Sequence, residues 1–241
     1  MKKLLILFFC VHTISELSAQ DFDQFPSLSG DIAHWYKAIT TNSEAPLMNG
    51  TYYYDEHEEL ISQYHTPFYK TGWDYYGQIT YEGRLFPRVD IIYNTSEDLL
   101  LIRNLNMEKA GERSLLIKQS KIDSFTIHND KFLRFTHAKI GSAGFYKLII
   151  RGKSMECFAK ESKTGQPAGT VFEFNPKTNF YIKYKDEIHP YRQKGSLYKI
   201  FPAHRKEIKK YIRENSLFIL SRKKKEVFLR SILNYCDSIV K

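Results

Sequence analysis

From Thr51 to about Tyr191 the chain keeps a period of two, with β-branched and aromatic residues in short runs broken by Gly, Asn, Asp and Pro, as in GQITYEGRLF, VDIIYN and FYKLII. A period of two sends successive side chains to opposite faces of a pleated strand, so each run is read as a strand with one buried face. The links are only a few residues long, and parallel neighbours need a crossover of about a dozen residues or more, so adjacent strands must run antiparallel. Turns are predicted at Glu82-Gly83, at NTSED, at Asn129-Asp130, near Gly152, at NPKT and at KDE. The fold class that follows is mainly β with α. Its body is an antiparallel meander of roughly eight to eleven strands paired in sequence order, strongly curved or closed into a barrel-like roll, since a long open meander leaves exposed edges.

The period changes at both ends. SGDIAHWYKAI carries Ile32, Trp35, Tyr36 and Ile39 on one helical face, which predicts a short N-terminal helix. Over residues 202–241 a pair of amphipathic helices is predicted. Pro202 suits a helix start, and Ile208, Tyr211 and Ile212 share a stripe. Ser221 can cap a second helix whose stripe is Phe228, Ile232, Tyr235, Cys236 and Ile239. Both are expected to lie on the β body with lysines outward. No linker divides residues 20–241, which read as a single β-rich domain.

The first 19 residues have a different logic. Two lysines, an apolar run from Leu4 to Val11 and a polar stretch ending at Ala19 make the three-part layout of a signal peptide, too short in its apolar part to span a bilayer. Cleavage is placed after Ala19, leaving Gln20 as the mature N-terminus and a periplasmic or secreted protein. Cys10 follows two phenylalanines inside the apolar run, which disfavours lipid attachment. No later stretch is apolar enough for a transmembrane span. Of the remaining cysteines, Cys157 and Cys236, each reads equally as a bridge partner and as a small buried hydrophobe.

The formal charge of +9 is unevenly spread. Residues 191–241 hold 14 basic and four acidic residues, while residues 20–190 hold 20 and 22. RKKK at 222–225 and HRKEIKK at 204–210 therefore suggest either a solvated face or contact with an anionic surface. Export argues against nucleic acid.

A tyrosine-rich stretch with HTPF, a W-x-x-x-G-x-I-T-Y-x-G hairpin, the strands VDIIYNTSEDLLLI, IDSFTI and GFYKLIIRGK, and the closing HRKEIKKYIREN segment together resemble a group of uncharacterised exported bacterial proteins. The resemblance implies export and this architecture, and no activity.

Candidate chemistry is sparse. Tyr52, Tyr54, Tyr69, Trp73, Tyr75 and Tyr76 are the candidate ligand-binding residues, since flat rings stack on sugar faces at little entropic cost. The competing reading of GWDYYGQITYEGRLF is a hairpin with Ile79, Tyr81 and Phe86 in the core and Trp73 among them. Asp55, His57, Glu59 and His65 are potential metal ligands, but their spacing matches no metal signature and a solvated acidic loop fits better. GSAG at 141–144 is not a nucleophile elbow. Cys157 with His189 is a conceivable Cys-His pair, against which Met155, Cys157 and Ala159 alternate as one small apolar face. No cofactor motif and no phosphate-cradling loop is present. The favoured function is an exported, non-catalytic binding or envelope-accessory module for a glycan, a peptide or an envelope protein. The alternatives are a small secreted hydrolase with a carboxylate or Cys-His site, and a barrel carrying an apolar ligand.

Overall fold

The computed structural model describes residues 46–47, 49–54, 65–70, 76–103, 114–135 and 143–240. The predicted N-terminal helix, the signal segment, Asp55, His57, Glu59, Trp73 and Tyr75 lie outside the described residues.

Eleven strands form one antiparallel sheet: β1 (Thr51–Tyr52), β2 (Tyr76–Tyr81), β3 (Arg84–Asn94), β4 (Leu99–Arg103), β5 (Ser114–Leu116), β6 (Ile122–Ile127), β7 (Asp130–Phe135), β8 (Gly144–Arg151), β9 (Met155–Ala168), β10 (Val171–Tyr184) and β11 (Glu187–Tyr191). Their spatial order is β1-β5-β4-β3-β2-β6-β7-β8-β9-β10-β11, and the sheet does not close. Pairing in sequence order thus holds from β2 to β5 and from β6 to β11 but fails at two places, because β1 pairs with β5 and β6 pairs with β2. The 11-residue β3 allows this, since β2 lies along its first half on one side and β4 along its second half on the other. Gln119, in the short link from β5 to β6, prolongs the ladder with its side chain: Oε1 accepts from the Leu100 amide and Nε2 donates to the Leu100 carbonyl, both at 2.8 Å.

Three hairpins turn through two central residues at positive φ, as type I′ turns require: Glu82-Gly83, His128-Asn129 and Lys185-Asp186. The second is one residue earlier than predicted, which leaves Asp130 as the first residue of β7. NPKT is not a turn. It lies inside β10, where Asn175 to Thr178 pair with Thr164 to Glu161 of β9, and the chain reverses instead beside Gly169 (φ +66°). Pro176 is tolerated because β11 pairs only with Phe180–Tyr184, so at this level β10 has just β9 as a ladder partner.

The registers align one row of side chains across eight strands: Phe86, Ile79, Phe125, Phe132, Lys147, Ala159, Phe180 and Tyr191. All eight are buried, and Lys147 alone is charged. On one side of it lies an aromatic core in which Tyr93, Phe125, Phe132 and Phe145 pack edge to face or stacked at 4.7–6.1 Å. On the other side Cys157, Ala159 and Ile182 meet the C-terminal helices.

Those helices are α1 (Lys194–Ile200), α2 (Arg205–Glu214), α3 (Leu220–Lys223) and α4 (Lys225–Ile239). The predicted pair corresponds to α2 and α4. Ser221 is no cap: it is buried inside α3 with Oγ donating to the Phe218 carbonyl, and Lys224 precedes α4. Pro202 lies in the turn before α2, which starts at Arg205. The stripe Phe228, Leu229, Ile232, Leu233 and Cys236 buries α4 on the sheet. Near its far end Asp237 accepts from the Lys153 and Ser154 amides at 2.7 and 2.8 Å, an approach that a Cβ on Gly152 would block at 2.6 Å.

Candidate functional site

Lys147 is the most unusual residue for its position. Strand alternation turns it into the buried face between the two cores, where an isolated ammonium would be prohibitively desolvated. Three separate segments supply its partners. Its Nζ lies 3.1 Å from Glu161 Oε1 of β9, 2.7 Å from Glu226 Oε2 in the first turn of α4, and 3.4 Å from Tyr69 Oη. Tyr69 Oη donates to Asp130 Oδ2 at 2.8 Å, and Lys70 Nζ reaches the same oxygen at 2.7 Å. Arg230 closes the set on Glu226 Oε1 at 3.1 Å. Three cations thus face three carboxylates in one connected network.

The protonation states follow from this geometry. Burial alone would lower the Lys147 pKa, but Glu161 and Glu226 outweigh it and hold the ammonium above its ordinary value. Burial raises the Tyr69 phenol, with the hydrogen bond to Asp130 acting in the same direction. Burial opposes ionisation of Asp130, yet the Lys70 and Tyr69 hydrogen bonds prevail and keep its carboxyl below the usual range. At neutral pH all three are fixed in their ordinary forms, and each proton that could be transferred is already held by a partner.

A second lysine, the half-buried Lys160, bonds Asp98 Oδ2 at 2.6 Å while Tyr93 Oη donates to Asp98 Oδ1 at 2.5 Å. A third, Lys163, donates to the Thr66 and Phe68 carbonyls at 2.7 and 2.6 Å. Burial lowers the pKa of both. All three lysines bind the 65–70 segment or the β3–β4 turn to β8 and β9.

The candidate tyrosines do not gather on one surface. Tyr69 is 9% exposed, its ring edge-on to Phe132 at 5.0 Å. Tyr52 and Tyr54 are 50% and 80% exposed and lie two residues apart at β1. Tyr76 is exposed at the start of β2, with the Arg88 guanidinium 4.8 Å from its ring centre. His65 lies 3.3 Å from Glu173. Among the described residues no cluster of His, Cys, Asp or Glu has the arrangement of a metal site.

Cys157 and His189 do not form a pair: in the strand registers Ile182 stands directly between them. Cys157 and Cys236 are free thiols in the helix-side core, and burial pushes each up to about 12. A depression of about 570 Å³ lies where α1 and the turn before α2 meet β10 and β11, lined by Tyr184, His189, Phe201 and His204 among others. His204 is occupied there by Glu207 at 3.0 Å.

The role of Lys147 escaped sequence analysis, although its parity within FYKLIIR, in step with Phe145 and on a buried face, was the available signal. Glu226 likewise continues the stripe of Leu229 and Leu233. Nothing local marks Tyr69, Asp130 or Glu161 as their partners. No family model, curated protein or solved structure matches the chain, and no helix among the described residues is long and apolar enough to cross a membrane.

Proposed function

We propose that the protein is exported after removal of residues 1–19 and works as a non-catalytic binding module, with Tyr52 and Tyr54 in its ligand surface and a glycan chain as the ligand. The observation that carries this reading is the exposure of these two neighbouring rings. Exposed tyrosines present a stacking face at low conformational cost. The hydrolase alternative draws no support from the buried ionisable groups, because the Lys147 network spends its charges on one another rather than on an open cleft. The carrier alternative is weakened by the rings of Tyr93, Phe125, Phe132 and Phe145, which fill the inner face of the sheet. We further infer that the sheet curls strongly around those rings, since β2, β3, β4, β6, β7 and β8 all contribute to one core.

Co-sedimentation with insoluble polysaccharides, peptidoglycan sacculi and chitin among them, tests the binding claim. The Tyr52→Ala/Tyr54→Ala double variant should lose retention without change in melting temperature, and no soluble sugar should be released. Equal retention of the variant rejects the tyrosine surface; release of product rejects the non-catalytic reading. Mass spectrometry of material from the envelope fraction should find Gln20 at the N-terminus, whereas an intact Met1 on a cytoplasmic protein rejects export.

A further inference from the structure

The turn from α2 to α3 and the start of α4 carry an unusual combination. Phe218, Ile219 and Val227 are each about half exposed, and between them run Arg222, Lys223, Lys224 and Lys225, all exposed. This tip is not a frayed end. Leu217, Ser221, Phe228 and Leu229 alternate with the exposed residues and are buried. The Ser221 and Lys224 amides donate to the Leu217 and Leu220 carbonyls at 3.1 and 2.8 Å. The inward set fixes which residues point outward, and large apolar side chains held in water beside four like charges gain nothing from the fold.

We infer that this tip docks on an anionic phospholipid surface, with Phe218 and Ile219 entering the interfacial region and residues 222–225 pairing with lipid phosphates. Charge complementarity selects this occupant. The segment 191–241 carries an excess of ten positive charges, while residues 20–190 carry an excess of two negative ones, so an anionic surface attracts the helical segment far more strongly than the rest of the chain. Apolar side chains flanked by lysines are what an interfacial contact requires, because neither element holds alone: a few half-buried apolar residues bind weakly, and basic residues alone stay above the headgroups. The inference does not depend on the tyrosine surface, which belongs to β1.

The test places a reporter in the tip of the full chain. Phe218→Trp should be quenched by brominated phosphatidylglycerol vesicles beyond the quenching of the unsubstituted chain, whose own Trp35 and Trp73 set the baseline, and the increment should vanish on phosphatidylcholine vesicles. Lys223→Glu/Lys224→Glu should weaken the vesicle affinity of the reporter chain at least about tenfold at about 0.1 M salt, each lysine contributing severalfold. Ile219→Ser should weaken it severalfold, with melting temperatures unchanged. No additional quenching, equal quenching on neutral vesicles, or burial of the reporter through concentration-dependent self-association overturns the proposal.

Discussion

Lys147 on β8 and Lys224 ahead of α4 stand at opposite extremes of what a lysine can do in one fold. Lys147 lies in an apolar row with Glu161, Glu226 and Tyr69 within 3.4 Å, and its charge locks the 65–70 segment, the sheet and α4 together. Lys224 is exposed among Arg222, Lys223 and Lys225, and forms no ion pair with a carboxylate among the described residues. The charge of Lys147 is therefore structural because strand parity drives it inward, and that of Lys224 is left to a partner because the junction of α3 and α4 turns it outward. α4 joins the two regimes, since Glu226 at its start serves the buried network one residue after the exposed Lys225.

The comparison requires that α4 be packed, and the largest expected effect tests that. Ile232 is fully buried in the helix-side core, so Ile232→Asp should destabilise by about 4 kcal/mol or more in urea unfolding, an unpaired buried charge being among the costliest single changes. A loss under about 1 kcal/mol would mean that the helix is not held on the sheet. Lys147→Ala comes next, at about 3 kcal/mol, because it strands Glu161 and Glu226 near each other without their cation. Lys147→Met combined with Glu161→Gln and Glu226→Gln should recover much of that loss, and failure to recover would assign the cost of Lys147→Ala to packing instead of charge. Tyr69→Phe removes one hydrogen bond to a carboxylate and should cost about 1.5 kcal/mol.

Much of this division was written locally. The β2–β3 hairpin was legible because Glu-Gly falls between alternating runs and supplies the positive φ of its turn, and Ile79, Tyr81 and Phe86 are in the core as their parity requires. The α2 and α4 stripes were legible for the same reason. NPKT misled because turn-forming residues are also admissible where a strand has a partner on one side only. α1 was missed because Gly195 and Ser196 are weak helix formers and only Leu197 and Ile200 mark its buried face. The Lys147 network was half legible. Its centre follows from parity, but its partners come from segments up to 79 residues away, and only the β2–β6 pairing and the docking of α4 bring them together.

The acid limb of stability gives a smaller effect. The folded-state pKa of Asp130 is depressed below its unfolded value, so its stabilisation is fully present above the ordinary carboxylate value of about 3.9 and is lost as pH falls through the folded value. Lys147 has the opposite sign: its folded pKa is raised, so its contribution is complete below the unfolded lysine value and is lost only in strong alkali. Between these limits neither of the two groups makes stability depend on pH. Unfolding free energies measured downward from pH 6 should therefore fall less steeply for Asp130→Asn than for the unsubstituted chain, and identical slopes would show that Asp130 is not linked to folding.

The smallest effect is the most discriminating. Lys224→Glu should shift the urea midpoint by no more than about 0.5 kcal/mol in free energy, as surface substitutions do. Its sign should be neutral to stabilising. Lys224 ends the single turn of α3 and directly precedes the much longer α4, whose dipole outweighs that of one turn and whose start no side chain caps. A carboxylate there faces the positive end of the helix dipole and relieves repulsion among Arg222, Lys223 and Lys225. The native lysine is thus the poorer choice for stability at this site, which is the physical ground for assigning its charge to an external partner. A loss of about 1 kcal/mol or more would make this lysine structural as well, and the contrast with Lys147 would collapse.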